Sequence, residues 1–160
     1  MAAIAREATQ DVELFLVGGT SAVLVGWRAS TMDIDLAMRP ETDAMLRAIP
    51  ALKERLHVNV ELASPDGFIP VAPGWESRSP LVVKLGRVTF RHFDFHAQAL
   101  AKIERGHGRD LADVIAMREH GLIVPAEVRA CFARMEPELY RFPAIDPPTF
   151  RRAVDAMFPA

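Results

Sequence analysis

Glu13-Leu14-Phe15-Leu16-Val17-Gly18-Gly19-Thr20 is the stretch whose reading decides the fold. A short apolar run bounded by turn residues reads as a buried strand, and the paired glycines mark the turn that stops it. Thr20 to Val25 then reads as a short helix ended by Gly26. Strand, glycine turn and helix in that order aim backbone N–H groups at an anion beside the helix N-terminus. Alone, Gly-Gly after a strand is more commonly a plain tight turn.

The next strand raises the specificity. Met32 to Ala37 alternates, with Ile34 and Leu36 on one face and Asp33 and Asp35 on the other. Aspartate is disfavoured in strands, so two in one short strand need a reason. Side by side they repel unless a cation lies between them. Mg²⁺ suits that place, because it takes hard oxygen ligands and combines one or two carboxylates with substrate phosphates. The bland alternative is a strand with one solvated polar face. Together, a phosphate cradle and a metal-binding strand one short helix apart are more specific than either alone.

Outward from this core the chain alternates. Pro40-Glu41-Thr42 opens a helix to about Leu56, with Met45, Leu46, Ile49 and Leu52 at helical spacing, and His57 to Leu62 reads as a third strand. Ser64 to Pro80, rich in Pro and Gly, reads as a long connection, and such loops are often functional. Leu81–Leu85 and Val88–Phe93 predict a hairpin around Gly86-Arg87. Helices are expected at about 96–104, at 110–120 with Gly121 as its C-terminal cap, from Pro125, and finally to near Phe158. The last helix can pack on the core or on another protomer. The class expected is α+β (α/β): a single domain over residues 1–160, with one mixed sheet covered by helices, a core at about 12–123 and a helical tail at 124–160.

Bulk properties bound the partners. The 160 residues suffice for one good core, and the formal net charge of −2 gives no general attraction to nucleic acid. One cysteine, Cys131, excludes an intrachain disulfide and reads as core filler. No signal peptide and no apolar run of membrane length is evident. The expectation is a soluble cytoplasmic protein with no membrane partner.

With Gly18-Gly19-Thr20-Ser21-Ala22, Gly26, Arg28, Thr31 and Asp33-Ile34-Asp35-Leu36 in view, the sequence resembles the nucleotidyltransferase superfamily with a polymerase β-like palm. The Arg and Thr placed before Asp-x-Asp look most like its AbiEii branch, toxins of type IV toxin–antitoxin systems. Lys102 followed by Arg109-Asp110-Leu111-Ala112-Asp113 adds to the likeness, which covers roughly residues 12–123.

The resemblance implies an NTP substrate, two Mg²⁺ ions and transfer of a nucleotidyl group to an acceptor hydroxyl. The tRNA 3′ end or another RNA is the acceptor in toxins of this branch, with a cognate antitoxin as protein partner. It assigns Gly18, Gly19 and Thr20 to the triphosphate, Asp33 and Asp35 to metal, and Lys102 to phosphate. Asp110 or Asp113 would orient groups on the helix, with Asp113 alternatively a structural partner of an Arg. The usual third carboxylate, the base on the acceptor, has two candidates. Glu61 shares a strand face with Asn59, whereas Asp94 reads equally well as a helix N-cap.

Other candidates rank lower. His92 and His96 can lie close together, but their spacing fits no standard ligand set, and a packing role is the commoner one. Trp27 and Trp75 can stack on a base, but large aromatics more often pack. Two other readings stand beside a tRNA-directed enzyme: the same chemistry on a small molecule or protein, or a catalytically silent nucleotide- or partner-binding module; segment 64–80 can serve as a lid in either enzyme reading.

Overall fold

The computed structural model describes residues 1–159. Its chain divides into two compact units: Met1–Ser64 with Ser79–Phe93, and Pro65–Arg78 with the residues from Asp94 onward.

The first unit holds one five-stranded mixed sheet. β1 (Val12–Val17), β2 (Asp33–Arg39), β3 (Asn59–Leu62), β4 (Leu81–Leu85) and β5 (Val88–His92) lie in the order β3-β2-β1-β5-β4. β1 is antiparallel to β2 and parallel to β5, β2 is parallel to β3, and β4 is antiparallel to β5. With helices filling the rest of the chain, this is the expected α+β class.

Strand parity sorts the two faces. Leu14, Leu16, Leu36, Met38, Val88 and Phe90 form one buried cluster, and each fully buried large side chain contributes about 1.5–3 kcal/mol. Helix α3 (Asp43–Leu56) covers it with Met45 and Ile49, two members of an apolar stripe at helical spacing. The Thr42 side chain caps α3 by accepting from Met45 N at 3.3 Å. Ile4 and Ala5 of α1 (Ala2–Ala5) also pack against the cluster. The opposite face of β2 carries Asp33 and Asp35. Helix α2 spans Gly18–Val25, so both glycines lie in its first turn, and Gly26 ends it in the left-handed conformation.

Segment 64–80 is more ordered than its composition suggests. It contains a 3-10 turn, Pro65–Gly67, and a short helix α4, Trp75–Arg78. The Arg78 guanidinium is one source of that order. It donates to the carbonyls of Ala72 and Pro73 and, through Nε and Nη2, to the buried Asp94 carboxylate at 2.9 and 2.7 Å.

Helices α5 (Phe95–Arg105), α6 (Gly108–Glu119), α7 (Pro125–Met135) and α8 (Pro147–Met157) complete the second unit. α5 is its axis, packing against α6, α7, α8 and the 65–67 turn. The boundary expected near residue 123 therefore does not mark a change of unit, because α5 joins helices on both sides of it. α8 packs on α5 and α7, with Phe150 edge-on to Phe132 at 5.0 Å. Cys131 is buried in the same core, as its apolar surroundings in sequence suggested. Among the described residues no helix is long and apolar enough to cross a membrane.

Candidate active site

The sheet register assembles the site. Val17 pairs with Asp35 across β1 and β2, so the chain leaves β1 for the glycine turn beside the second aspartate. A Cβ added to Gly18, where φ is +55°, would lie 3.5 Å from Asp35 Oδ2. The first turn of α2 thus opens next to a carboxylate, and its N-cap residue, Val17, makes no side-chain cap hydrogen bond. Such an end presents backbone N–H groups and a partial positive charge to an anion.

Gly19 is required by packing. A Cβ there would overlap the Thr31 side chain, with Arg28 Nη1 only 3.7 Å away. Thr31 Oγ1 in turn donates to the Asp33 carbonyl at 2.9 Å. The glycine, the threonine and the start of the acidic strand are therefore one packed assembly, which accounts physically for their co-occurrence in the sequence.

The turn's hydroxyls face inward. Ser21 is fully buried and donates to the Leu16 carbonyl at 2.9 Å, so it accepts from His92 Nδ1, also at 2.9 Å. That fixes the Nδ1–H tautomer of His92, and burial lowers the His92 pKa, favouring the neutral ring. Thr20 is 9% exposed and makes only a long contact, 3.5 Å, to the Asp33 carbonyl. Any phosphate contact from this turn falls to backbone N–H groups rather than to the Ser21 hydroxyl.

β3 brings a further carboxylate. In the parallel register Asn59 stands opposite Asp33 and Glu61 opposite Asp35, on the same face. Asn59 Nδ2 donates to Asp33 Oδ1 at 2.8 Å and to Glu61 Oε1 at 2.7 Å. Asp94, the other candidate for third carboxylate, is wholly buried and occupied elsewhere. It caps α5 by accepting from His96 N at 3.1 Å and binds Arg78. Burial alone would raise its pKa, but the His96 and Arg78 hydrogen bonds and the Arg78 charge prevail and lower it. His92 Nδ1 meets Ser21 Oγ at 2.9 Å, and His96 Nδ1 meets Asp94 Oδ1 at 3.1 Å.

Lys102, Asp110 and Asp113 are brought together, within the second unit. Lys102 Nζ donates to Asp113 Oδ2 at 2.7 Å and to Asp110 Oδ1 at 3.1 Å, and all three side chains are buried. Arg105 adds a two-pronged contact to Asp110. Burial raises the Asp110 pKa, but the hydrogen bonds and charges of Arg105 and Lys102 outweigh it and leave the pKa lowered.

Among the described residues no three His, Cys, Asp or Glu side chains are disposed to hold a metal ion. Asp33 and Asp35 nevertheless fit Mg²⁺ in donor chemistry. They are hard oxygen donors beside a helix N-terminus, and Mg²⁺ commonly takes only one or two carboxylates, with phosphates completing its shell.

Residues 2–126 match the model of a family described as nucleotidyltransferase of unknown function (DUF6036). The chain belongs to this nucleotidyltransferase family. No curated protein and no solved structure matches it. The matched span contains the glycine turn, both acidic strands and the Lys102–Asp113 cluster. Asn59 is the contributor that sequence reasoning left without a role. Its signal was the alternation Asn59-x-Glu61, parallel to Asp33-x-Asp35.

Proposed function

We propose that the protein transfers a nucleotidyl group from an NTP to an acceptor hydroxyl with the help of Mg²⁺. The observation that carries this reading is the seating of Asp35 against the first turn of α2 at Gly18, a place suited to a metal-bound triphosphate. The acceptor oxygen attacks the α-phosphorus and forms a new P–O bond, while the bond to the β-phosphate oxygen breaks and pyrophosphate leaves. Glu61 takes the acceptor proton. Asp33 and Asp35 hold the cation, and the Gly18 and Gly19 backbone orients the phosphates. Bound Mg²⁺ supplies charge neutralisation for the attacking and leaving oxygens.

Lys102, Asp110 and Asp113 enter this reading as a scaffold. An ammonium already shared by two buried carboxylates is better suited to fastening α5 to α6 than to gripping phosphate. The likeness of residues 18–36 to AbiEii proteins supports an RNA 3′ hydroxyl as acceptor, tRNA first, with an antitoxin as partner.

Incubation with each α-labelled NTP, Mg²⁺ and total tRNA tests the reading. Label is expected in RNA with the wild type and absent with Asp33→Ala. Label on an added aminoglycoside or on protein instead would keep the chemistry and replace the acceptor. Absence of label on every acceptor, with NTP bound but unturned, would favour a silent nucleotide-binding module.

A further inference from the structure

We propose that Asn59 is the positioning residue of the acidic site: its amide clamps Glu61 to Asp33 and fixes which carboxylate oxygens remain for a divalent cation. The inference rests on the reading that Asp33 and Asp35 hold such a cation.

The geometry is specific. A side-chain amide carries two N–H donors on one nitrogen, and Asn59 spends one on Asp33 Oδ1 and the other on Glu61 Oε1. The two carboxylate oxygens can then lie no further apart than the two hydrogen-bond lengths together. Asn59 is half-buried and its partners are exposed, so the clamp stands at the rim of the site rather than in the core. It also works along two directions at once. The bond to Asp33 crosses from β3 to β2, whereas the bond to Glu61 runs along β3 on the face that the strand period dictates.

An exposed glutamate has several rotatable bonds, and holding it in one rotamer costs side-chain entropy. The Asn59 hydrogen bond offsets that cost before any ligand arrives. One oxygen of each carboxylate is taken by the clamp, which leaves the second oxygen of each to turn toward a cation or an acceptor proton. Neutrality is the other half of the argument. A lysine or arginine at position 59 would supply donors but would also cancel the negative charge that a cation needs. An aspartate would keep the charge and lose both donors. Of the ordinary side chains of this length, asparagine alone gives two donors on one nitrogen without charge. Partners of metal-binding groups that orient them in this way typically change metal affinity 10–100-fold when removed.

The test is Mn²⁺ affinity, read by calorimetry with a non-hydrolysable NTP analogue bound, for wild type, Asn59→Ala, Glu61→Ala, the double variant and Asn59→Lys. Thermal melts run alongside. Asn59→Ala is expected to weaken Mn²⁺ binding roughly 10-fold or more while the melting temperature hardly changes. Because it acts partly through Glu61, the double variant should be weakened by less than the product of the single effects. Asn59→Lys should fold, since the position is at the rim, and should lose Mn²⁺ binding almost entirely. Unchanged affinity in either Asn59 variant overturns the inference. So does a double variant showing the full product of the single effects, which marks a merely structural role. If the wild type itself binds no Mn²⁺, the cation reading of Asp33 and Asp35 fails with it. If the wild type binds and Asn59→Ala matches it, the inference alone fails.

Discussion

Two carboxylate clusters in this molecule solve the same electrostatic problem in opposite ways. In the second unit, Asp110 and Asp113 share the Lys102 ammonium, Arg105 adds a second cation, and both aspartates and the lysine are buried. In the first unit, Asp33 and Glu61 share a neutral amide and are exposed. Buried charges must be paired, because desolvation costs several kcal/mol per ion. Carboxylates held at the surface by a neutral amide keep their access to solvent. The first arrangement spends its electrostatics on holding helices together. The second leaves its carboxylates exposed.

Breaking each cluster should therefore have opposite signatures. Asp33→Ala is expected to lower nucleotidyl transfer by about 10³-fold, a loss of roughly 4 kcal/mol of transition-state stabilisation, in single-turnover assays. Its thermal melt should shift little, since exposed sites generally tolerate substitution. Lys102→Met reverses the pattern. It leaves two buried carboxylates short of a cation and should cost about 3–5 kcal/mol in denaturant unfolding. Activity lost in Lys102→Met at a temperature where the variant is fully folded would instead return Lys102 to the phosphate-binding role that its position in the sequence suggests.

A smaller effect probes the join between turn and acidic strand. Gly19→Ala drives a methyl group into Thr31 and should cost about 1–3 kcal/mol. Thr31→Ala in the same chain should recover part of that loss, and a double-mutant cycle measures the coupling. Acid supplies the gentlest probe. Asp94 and Asp110 both have lowered folded-state pKa values. The stability they contribute is present above the unfolded value of about 3.9 and is lost as the pH falls through their folded values. Hydrogen-exchange protection in α5 and α6, corrected for the intrinsic pH dependence of exchange, should therefore fall below about pH 4.

Much of the fold was legible because its signals are local. Apolar runs, the period of two around Asp33 and Asp35, and the break at Gly86-Arg87 all place elements within a few residues. α2 begins at Gly18 rather than Thr20 because the glycines join its first turn. Less legible was anything set by register or by distant packing. The pairing of Asn59 with Asp33 depends on how β3 slides along β2, which a four-residue strand does not announce. Segment 64–80 looked like a loose connection because its order comes from distant packing, such as buried Ile69 and Arg78 reaching Asp94. The same contact engages the buried carboxylate of Asp94, which the sequence also offered as a helix N-cap. Lys102, Asp110 and Asp113 were legible as a group, but their burial was not.

The most direct test of the central claim is residue-resolved Mn²⁺ titration by NMR with a non-hydrolysable NTP analogue present. Paramagnetic broadening spreads outward from the bound ion, so it locates the site without requiring turnover. The account predicts selective loss of the backbone signals of Gly18, Gly19, Asp33, Asp35 and Glu61 at the lowest Mn²⁺ levels. Those signals persisting while broadening develops elsewhere, or nowhere, would contradict it.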